Sequence, residues 1–441
     1  MPTQIGVQHD ASLSRAQSIA PGAPGVHARG FAENAAEWGG AWYTPGMEAI
    51  RRHYREVKTV LRRHDLADPY FVGKFSLSPY QACAHGCRYC DGRAERYYVE
   101  GDFEHDIVIR SNIAEVLERE LDRVRERGIV FIGSGISDAY QPPEAHGGLM
   151  RSCARILADH AMPVTVLTKS ALIRRDRDTW LELNESSGFL LMVSLVTLDD
   201  DLRRIFEPGA GSVDERCAIL REFKSSGCAI GVAAMPLLPF LCDSEKDLCA
   251  LSRRLAEIGV DFVLFGGLTL RPGRQKDCFF ETLERSHPQL RQAYAELYNE
   301  DRLSGAPRAE YSTALHRRAV AAFAEVSLST VIPHRIYRGR LPLYDEVYVL
   351  LNHLVTIYGG RGEDVRRLKA CVRIYHDWLL DRKKLFNRRR SQRAGEIEQE
   401  LMESAESGRL AALLGNAKLA CFLREVIIDR RIFDDRICQL T

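Results

Sequence analysis

Short apolar runs alternate with longer stretches of helical periodicity through the middle of the chain. Six runs have the length of strands, at 74–77, 129–132, 163–168, 189–196, 229–234 and 262–268. Between them, 112–127, 145–160, 171–187, 213–226 and 244–258 carry apolar residues at helical spacing. Such alternation predicts β-α units, and right-handed crossovers make the sheet parallel. Six units curve into a partial (β/α)6 TIM-like barrel, an α/β fold whose ligands gather at the carboxyl ends of the strands. Ahead of the barrel, Ile50, Tyr54, Val57 and Leu61 recur at helical spacing beside a stripe of Arg51, Arg55, Lys58 and Arg62, which predicts an amphipathic helix with a basic face from Met47 to about Arg63. After Pro272 the strand signal fades, and 278–299, 313–325, 362–386 and 393–407 read as helices. The pattern divides the chain into a mobile arm over 1–46, a helix and lead-in over 47–70, the barrel over 71–275 and a helical C-terminal extension over 276–441.

Composition narrows the class without choosing a substrate. With 45% hydrophobic and 27% charged residues in 441, the chain can bury a large core. Its 61 basic and 60 acidic residues nearly cancel, so net charge offers no argument for a polyanionic partner. Only local clusters do. The run Arg382–Arg393 holds seven basic residues and no acid; it reads either as a solvated helix end or as a contact for a nucleic-acid backbone. The long amphipathic helices of the extension would equally dock a protein partner. The first forty residues contain no apolar run after a basic start, and no later stretch would span a bilayer, so a cytoplasmic protein with no membrane partner is expected.

Twelve cysteines are too sparse for a disulfide scaffold. Cys153, Cys217, Cys371 and Cys421 fall in helical patterns and read as buried thiols. Cys228, Cys242, Cys249 and Cys278 lack the close pairs of an auxiliary cluster, although Cys242, in a Pro-rich loop after the fifth strand, is a candidate hydrogen-atom donor. Cys83, Cys87 and Cys90 differ: their C-x3-C-x2-C spacing, just after the first strand, can turn three thiolates toward one centre. Three thiolates suit a [4Fe-4S] cluster with one iron left open, whereas structural zinc takes four protein ligands, with His85 the conceivable fourth here. Tyr89, between the second and third cysteines, either packs against a bound adenine or fills the loop.

This spacing, with an aromatic residue before the last cysteine, resembles the signature of the radical S-adenosylmethionine (SAM) superfamily. Four blocks in order, SPYQACAHGCRYC, GSGISDAYQPPE, VTVLTKSALIRRD and VSLVTLDDDLRRIFEPGAGSVDERCAIL, resemble its spore photoproduct lyase-like (DNA repair photolyase-like) branch over about 74–275. The resemblance implies a barrel of the radical SAM type, with the cluster and SAM as cofactors. It implies further that Gly133, Ser134 and Gly135 let backbone approach the methionine part of SAM, that Lys169 pairs with its carboxylate, and that Ser194 hydrogen-bonds to it. Asp138, Tyr140 and Gln141 become candidates for contact with substrate or SAM. Two departures stand out. The lyase carries a hydrogen-returning cysteine where this chain has Gly135, which argues against thymine-dimer repair by that relay, and Asp91 follows the third cysteine where relatives often have an aromatic residue.

The implied activity is reductive cleavage of SAM to a 5′-deoxyadenosyl radical that abstracts hydrogen, with nucleic acid the leading substrate class and a flavodoxin or ferredoxin as reductant. The alternatives are a peptide or small-metabolite substrate, and a non-catalytic iron–sulfur protein that binds nucleic acid.

Overall fold

The computed structural model describes residues 50–441 apart from 98, 134, 135 and 389–393. The arm expected over 1–46, Ser134 and Gly135, and the end of the basic run therefore lie outside the described residues. The strands are β1 (Arg51–Arg55), β2 (Leu61–Arg63), β3 (Phe75–Leu77), β4 (Tyr80–Gln81), β5 (Asp106–Arg110), β6 (Val130–Ile132), β7 (Val164–Thr168), β8 (Phe189–Ser194), β9 (Ala229–Leu237), β10 (Phe262–Gly267), and a short antiparallel ribbon of β11 (Phe433–Asp434) and β12 (Gln439–Leu440).

The main sheet runs β10-β9-β8-β7-β6-β3-β2; every pairing is parallel except that of β2 with β3. The six parallel strands coincide with the six apolar runs of the sequence. Helices Leu149–Asp159, Arg177–Ser186, Val213–Ser225 and Glu245–Ile258 return the chain between successive strands and cover the outer face. Among the described residues the curved sheet is open: beyond β10 lies only an isolated bridge between Phe262 and Ser329.

Side chains alternate across this sheet with the period of a strand. In β8, Phe189, Leu191 and Val193 join the core beneath the helices, while Leu190 and Met192 face the barrel interior. Ser194 continues the interior row to its open end. The register sets Val193 beside Thr168 and Ser194 beside Ala233, which brings Lys169, Ser194 and Ala233 onto neighbouring interior positions at the carboxyl ends of β7, β8 and β9.

The segment 47–63 is not the amphipathic helix that its apolar spacing predicts. Among its described residues, β1 pairs with β5 in a side sheet of order β1-β5-β4, and β2 edges the main sheet. Backbone hydrogen bonding explains the difference. Val57 N–H donates to Asn112 Oδ1 (2.9 Å), and the N–H groups of Val60 and Leu61 donate to Glu120 Oε2 (3.0 and 2.8 Å), so the segment is satisfied by side chains some sixty residues away instead of by itself. Arg51 and His53, two apart on one strand face, both reach Asp106.

Beyond β10 the chain is mainly helical, with longer helices at Arg274–Ser286, Ala309–Ala324, Leu343–Gly360, Arg366–Arg388, Ala394–Glu406 and Ala417–Ile427. This part stoppers the barrel at the amino ends of its strands, where Ile332, Ile336, Tyr337, Leu341 and Val349 pack with Leu190, Met192, Phe262 and Leu264. Two buried polar contacts fasten it. Lys74 Nζ lies 2.7 Å from Asp345 Oδ2 with both side chains wholly buried, and Asp345 also accepts from Ala67 N–H. His353 Nε2–H donates to Pro69 O (2.8 Å), and its Nδ1 lies 3.1 Å from the Tyr337 hydroxyl, which donates to it when the ring is neutral.

Burial accordingly pushes the His353 pKa down to about 4. Between its ordinary value near 6.5 and about 4, the unfolded chain binds a proton that the folded one refuses. This contribution to stability is therefore complete above about pH 6.5 and is lost as the pH falls toward 4, to a total of about 3 kcal/mol. Urea melts of wild type and His353→Gln across this range should show the wild-type midpoint falling more steeply with acid; parallel slopes would contradict the assignment.

Candidate active site

The cysteine loop leaves β3 at the carboxyl end of the barrel, and its backbone is held by side chains from elsewhere. Gln141 accepts from Ala84 N–H through Oε1 (2.8 Å) and donates to Ala82 O through Nε2 (3.2 Å); Ser137 Oγ also donates to Ala82 O (3.0 Å). Arg93 donates to Cys87 O (2.9 Å) and Gly86 O (3.0 Å) and is itself paired with Glu104 (3.2 Å). Across the loop lies the segment 207–212. Gly209 N–H donates to His85 O (3.0 Å), and His85 Nδ1–H donates back to Gly209 O (2.8 Å). A Cβ at Gly209 would stand 2.6 Å from Ala84 O, so the two backbones approach this closely only because the residue has none.

Cys83, Cys87 and Cys90 thus line one cavity of about 300 Å³ together with Tyr89, Asp91, Gly133, Asp138, Lys169 and Ser194. The facing wall is apolar, with Phe71, Leu167, Met235 and Pro236. Burial is the main cause that raises all three thiols, Cys83 well above its ordinary value and Cys87 to about 12. Such sulfurs become thiolates only against a bound positive charge. Among the described residues no three His, Cys, Asp or Glu side chains converge tightly enough for a single metal ion. Three cysteines lining one cavity fit a wider group, an iron–sulfur cluster. His85 does not complete a tight zinc site with them: its Nδ1 is spent on Gly209, and its Nε2, which makes no hydrogen bond, faces Asp138 Oδ2 at 3.2 Å.

Gly133 has φ +120°, and a Cβ there would meet Leu167 O at 2.5 Å, so this position at the end of β6 requires glycine. Lys169 Nζ donates to Ser194 Oγ and lies 3.5 Å from Glu207 Oε1. Glu207, which the motif reading passed over, also accepts the Tyr89 hydroxyl at Oε1 and Arg216 at Oε2 (2.5 Å). Burial alone would raise its carboxyl, but Arg216 and Lys169 outweigh burial and hold it at about 2. The local signal was faint: an acid ahead of a Pro-Gly-Ala-Gly turn, with an arginine in the first turn of the following helix. Asp91 accepts from Thr269 Oγ1 and Gln275 Nε2, both at 3.0 Å, tying the end of the cysteine loop to the segment after β10.

Other candidates belong to the scaffold. Asp138 lines the cavity, but its oxygens accept from Tyr140 N–H, Thr168 Oγ1–H and Lys169 N–H, each at 2.8 Å, which leaves a brace between the β6 and β7 loops in place of a free catalytic group. Tyr140 does not reach the cavity; it is fully buried, donating to Asp176 (3.2 Å) and accepting from Trp180 Nε1–H (2.7 Å). Cys242 also lies off the cavity, packed with Leu238, Leu268 and Tyr294, where its sulfur accepts from Leu238 N–H (3.2 Å). Gln141 clamps the loop. Of the four cysteines expected to be buried in helices, Cys153, Cys217 and Cys371 are, whereas Cys421 is exposed on the outer side of its helix.

Comparison with known proteins gives three kinds of match. The model of the radical SAM superfamily matches residues 77–252. An uncharacterised protein of Mycobacterium tuberculosis is 34% identical over 261 residues, covering 58% of this chain and 75% of its own. An uncharacterised protein of the Acidianus two-tailed virus is 26% identical over 247 residues, covering 51% and 78%. Among solved structures, spore photoproduct lyase complexed with dinucleoside spore photoproduct aligns at 14% identity and a TM-score of 0.46, over 62% of this chain and 79% of that one.

The brace at Asp138 is testable without any cofactor. Asp138→Asn sets an amide N–H₂ against backbone donors and should lower the unfolding free energy of the cluster-free protein by about 2–3 kcal/mol. An unchanged denaturant midpoint would return Asp138 to the list of catalytic candidates.

Proposed function

The chain belongs to the radical SAM superfamily of enzymes, and from that we propose that it cleaves SAM reductively at a [4Fe-4S] cluster held by Cys83, Cys87 and Cys90. One observation carries the reading: two buried cysteines and a half-buried third, a glycine-only strand end at Gly133, and the Lys169–Ser194 pair share a single cavity at the carboxyl ends of parallel strands. When bound, the cluster supplies the electron that breaks a carbon–sulfur bond of SAM and yields a 5′-deoxyadenosyl radical for hydrogen abstraction.

The remaining roles fall to the chain's own groups. Lys169 offers an ammonium to the SAM carboxylate, and Ser194 a hydroxyl beside it. Gly133 admits backbone where any side chain would collide with Leu167. Tyr89, its hydroxyl turned away to Glu207, presents its ring to the cavity. Phe71, Leu167, Met235 and Pro236 exclude water from the place where a carbon radical has to survive. The reductant in this reading is a flavodoxin or ferredoxin.

A nucleic-acid substrate rests on the lyase-like sequence blocks. The basic side chains near 51–63 add little to it, since Arg51, Arg55 and Arg63 are paired with Asp106, Glu100 and Glu126. In the other basic run, Arg382 and Lys383 are paired with Glu400 and Asp345. The second reading, a small metabolite or peptide side chain, draws on the cavity's modest volume and apolar wall. Among the described residues no helix is long and apolar enough to cross a membrane.

Anaerobic reconstitution with iron and sulfide, followed by dithionite and SAM, should give 5′-deoxyadenosine from wild type and none from the Cys83→Ala/Cys87→Ala/Cys90→Ala protein. A verified cluster that yields no 5′-deoxyadenosine, with or without added oligonucleotide, would favour the non-catalytic binding protein.

A further inference from the structure

A salt bridge sealed from solvent needs a reason. Glu207 and Arg216 have side chains 1% and 0% exposed, and neither lines the cavity. Stripping water from both charges costs about as much as their attraction returns, so such a pair contributes little to stability as a pair. Its geometry offers another use. Each bond made by the Glu207 carboxylate goes to a different element: the Tyr89 hydroxyl from the cysteine loop, Lys169 from the end of β7 (3.5 Å), and Arg216 from the first turn of helix Val213–Ser225 (2.5 Å). Arg216 carries the contact further by donating to Ser194 O and Gly211 O, both at 2.9 Å. Gly211 N–H in turn donates to Lys169 O (3.2 Å).

Three side chains that face the cavity, Tyr89, Lys169 and Ser194, are therefore fixed from behind by one buried carboxylate and its guanidinium. Tyr89 lies between Cys87 and Cys90, so holding its hydroxyl also anchors the stretch of loop between these two cysteines. Lys169 gains most. Its long, flexible chain would otherwise be restrained at the ammonium by the Ser194 hydroxyl and by the face of the Tyr89 ring, 5.9 Å away and itself held by Glu207, and a cation with many rotamers is a poor docking point for a carboxylate.

We infer that Glu207 is a positioning residue for SAM: it acts through Lys169 and Tyr89, with Arg216 as its buried counter-ion. This rests on the SAM-cleaving reading given above. It goes further in assigning a function to two residues that touch neither cluster nor SAM and in predicting that their effect passes through Lys169.

The test is a double-mutant cycle read by SAM affinity, measured by calorimetry on anaerobic, cluster-loaded protein, with iron and sulfide content and thermal melting recorded for each variant. Glu207→Gln should raise the Kd for SAM by about tenfold or more in the wild-type background, as expected for loss of a charged hydrogen-bonding partner, and by less than about twofold in the Lys169→Met background. Glu207→Asp should recover part of the loss. Because Glu207→Gln leaves Arg216 buried without its partner, the double variant Glu207→Gln/Arg216→Met, which removes both charges, serves if the single variant does not fold.

A cluster-loaded variant that binds SAM like wild type overturns the inference, as does an equal loss with and without Lys169. Failure of both variants to fold or to take up the cluster also overturns it, in favour of a purely structural role. Absence of SAM binding by loaded wild type removes the proposed function itself, and the inference with it.

Discussion

The backbone of residues 82–90 must present three sulfurs to one cavity while forming almost no regular structure, and much of the surrounding architecture answers that constraint. The loop makes turn bonds of its own at Gly86 and Cys90. Cys83 N–H and Arg88 N–H donate to the backbone of Phe103 and Phe206, and further polar groups are met from outside by Gln141, Ser137, Arg93 and Gly209. A buried peptide group without a partner costs more than most single contacts return, so these four positions are as much a part of the sulfur geometry as the cysteines are. The clamp residues come from the β6 loop, the 3-10 turn after the cysteines and the turn ahead of helix Val213–Ser225. The loop's shape is therefore a property of the assembled barrel.

The barrel was readable because its strands are buried on both faces and bounded by helices. In β8 the unbroken run from Phe189 to Ser194, and the small Ala233 and Ala234 in β9, leave little choice but an interior parallel sheet. Segment 51–63 misled for the opposite reason. Its strands are exposed or at an edge, its partners are far along the chain, and with no buried face to impose a period of two, a chance spacing of Ile50, Tyr54, Val57 and Leu61 passed for a helix.

At the site, residues whose type already implied a chemistry, Cys83, Cys87, Cys90, Lys169 and Ser194, were found by motif and do meet around one cavity. Tyr140 and Cys242 were placed at the site by the loops that carry them, which follow strands at the barrel mouth, but a shift of a residue or two along a loop decides whether a side chain points inward. Tyr140 lies two residues beyond Asp138, which does line the cavity, and its hydroxyl joins Trp180 in the layer behind. Glu207, Arg216 and Gly209 escaped notice because their importance comes from the approach of two loops far apart in sequence. No local pattern records that.

The stopper at the amino ends of the strands has a consequence for how the protein is made. Ala67 and Asp345 are 278 residues apart in sequence, and Asp345 is also the counter-charge of the wholly buried Lys74. At a synthesis rate of about 5–20 residues per second, roughly 15–55 s pass between the appearance of Ala67 and that of Asp345. Until then Lys74 lacks the closer of its two carboxylate partners, keeping Glu126 at 3.9 Å, and the apolar floor of Leu190, Met192 and Phe262 stays uncovered as it is made. The newborn chain is thus in greatest need of shelter from aggregation when most of its catalytic half has already left the ribosome.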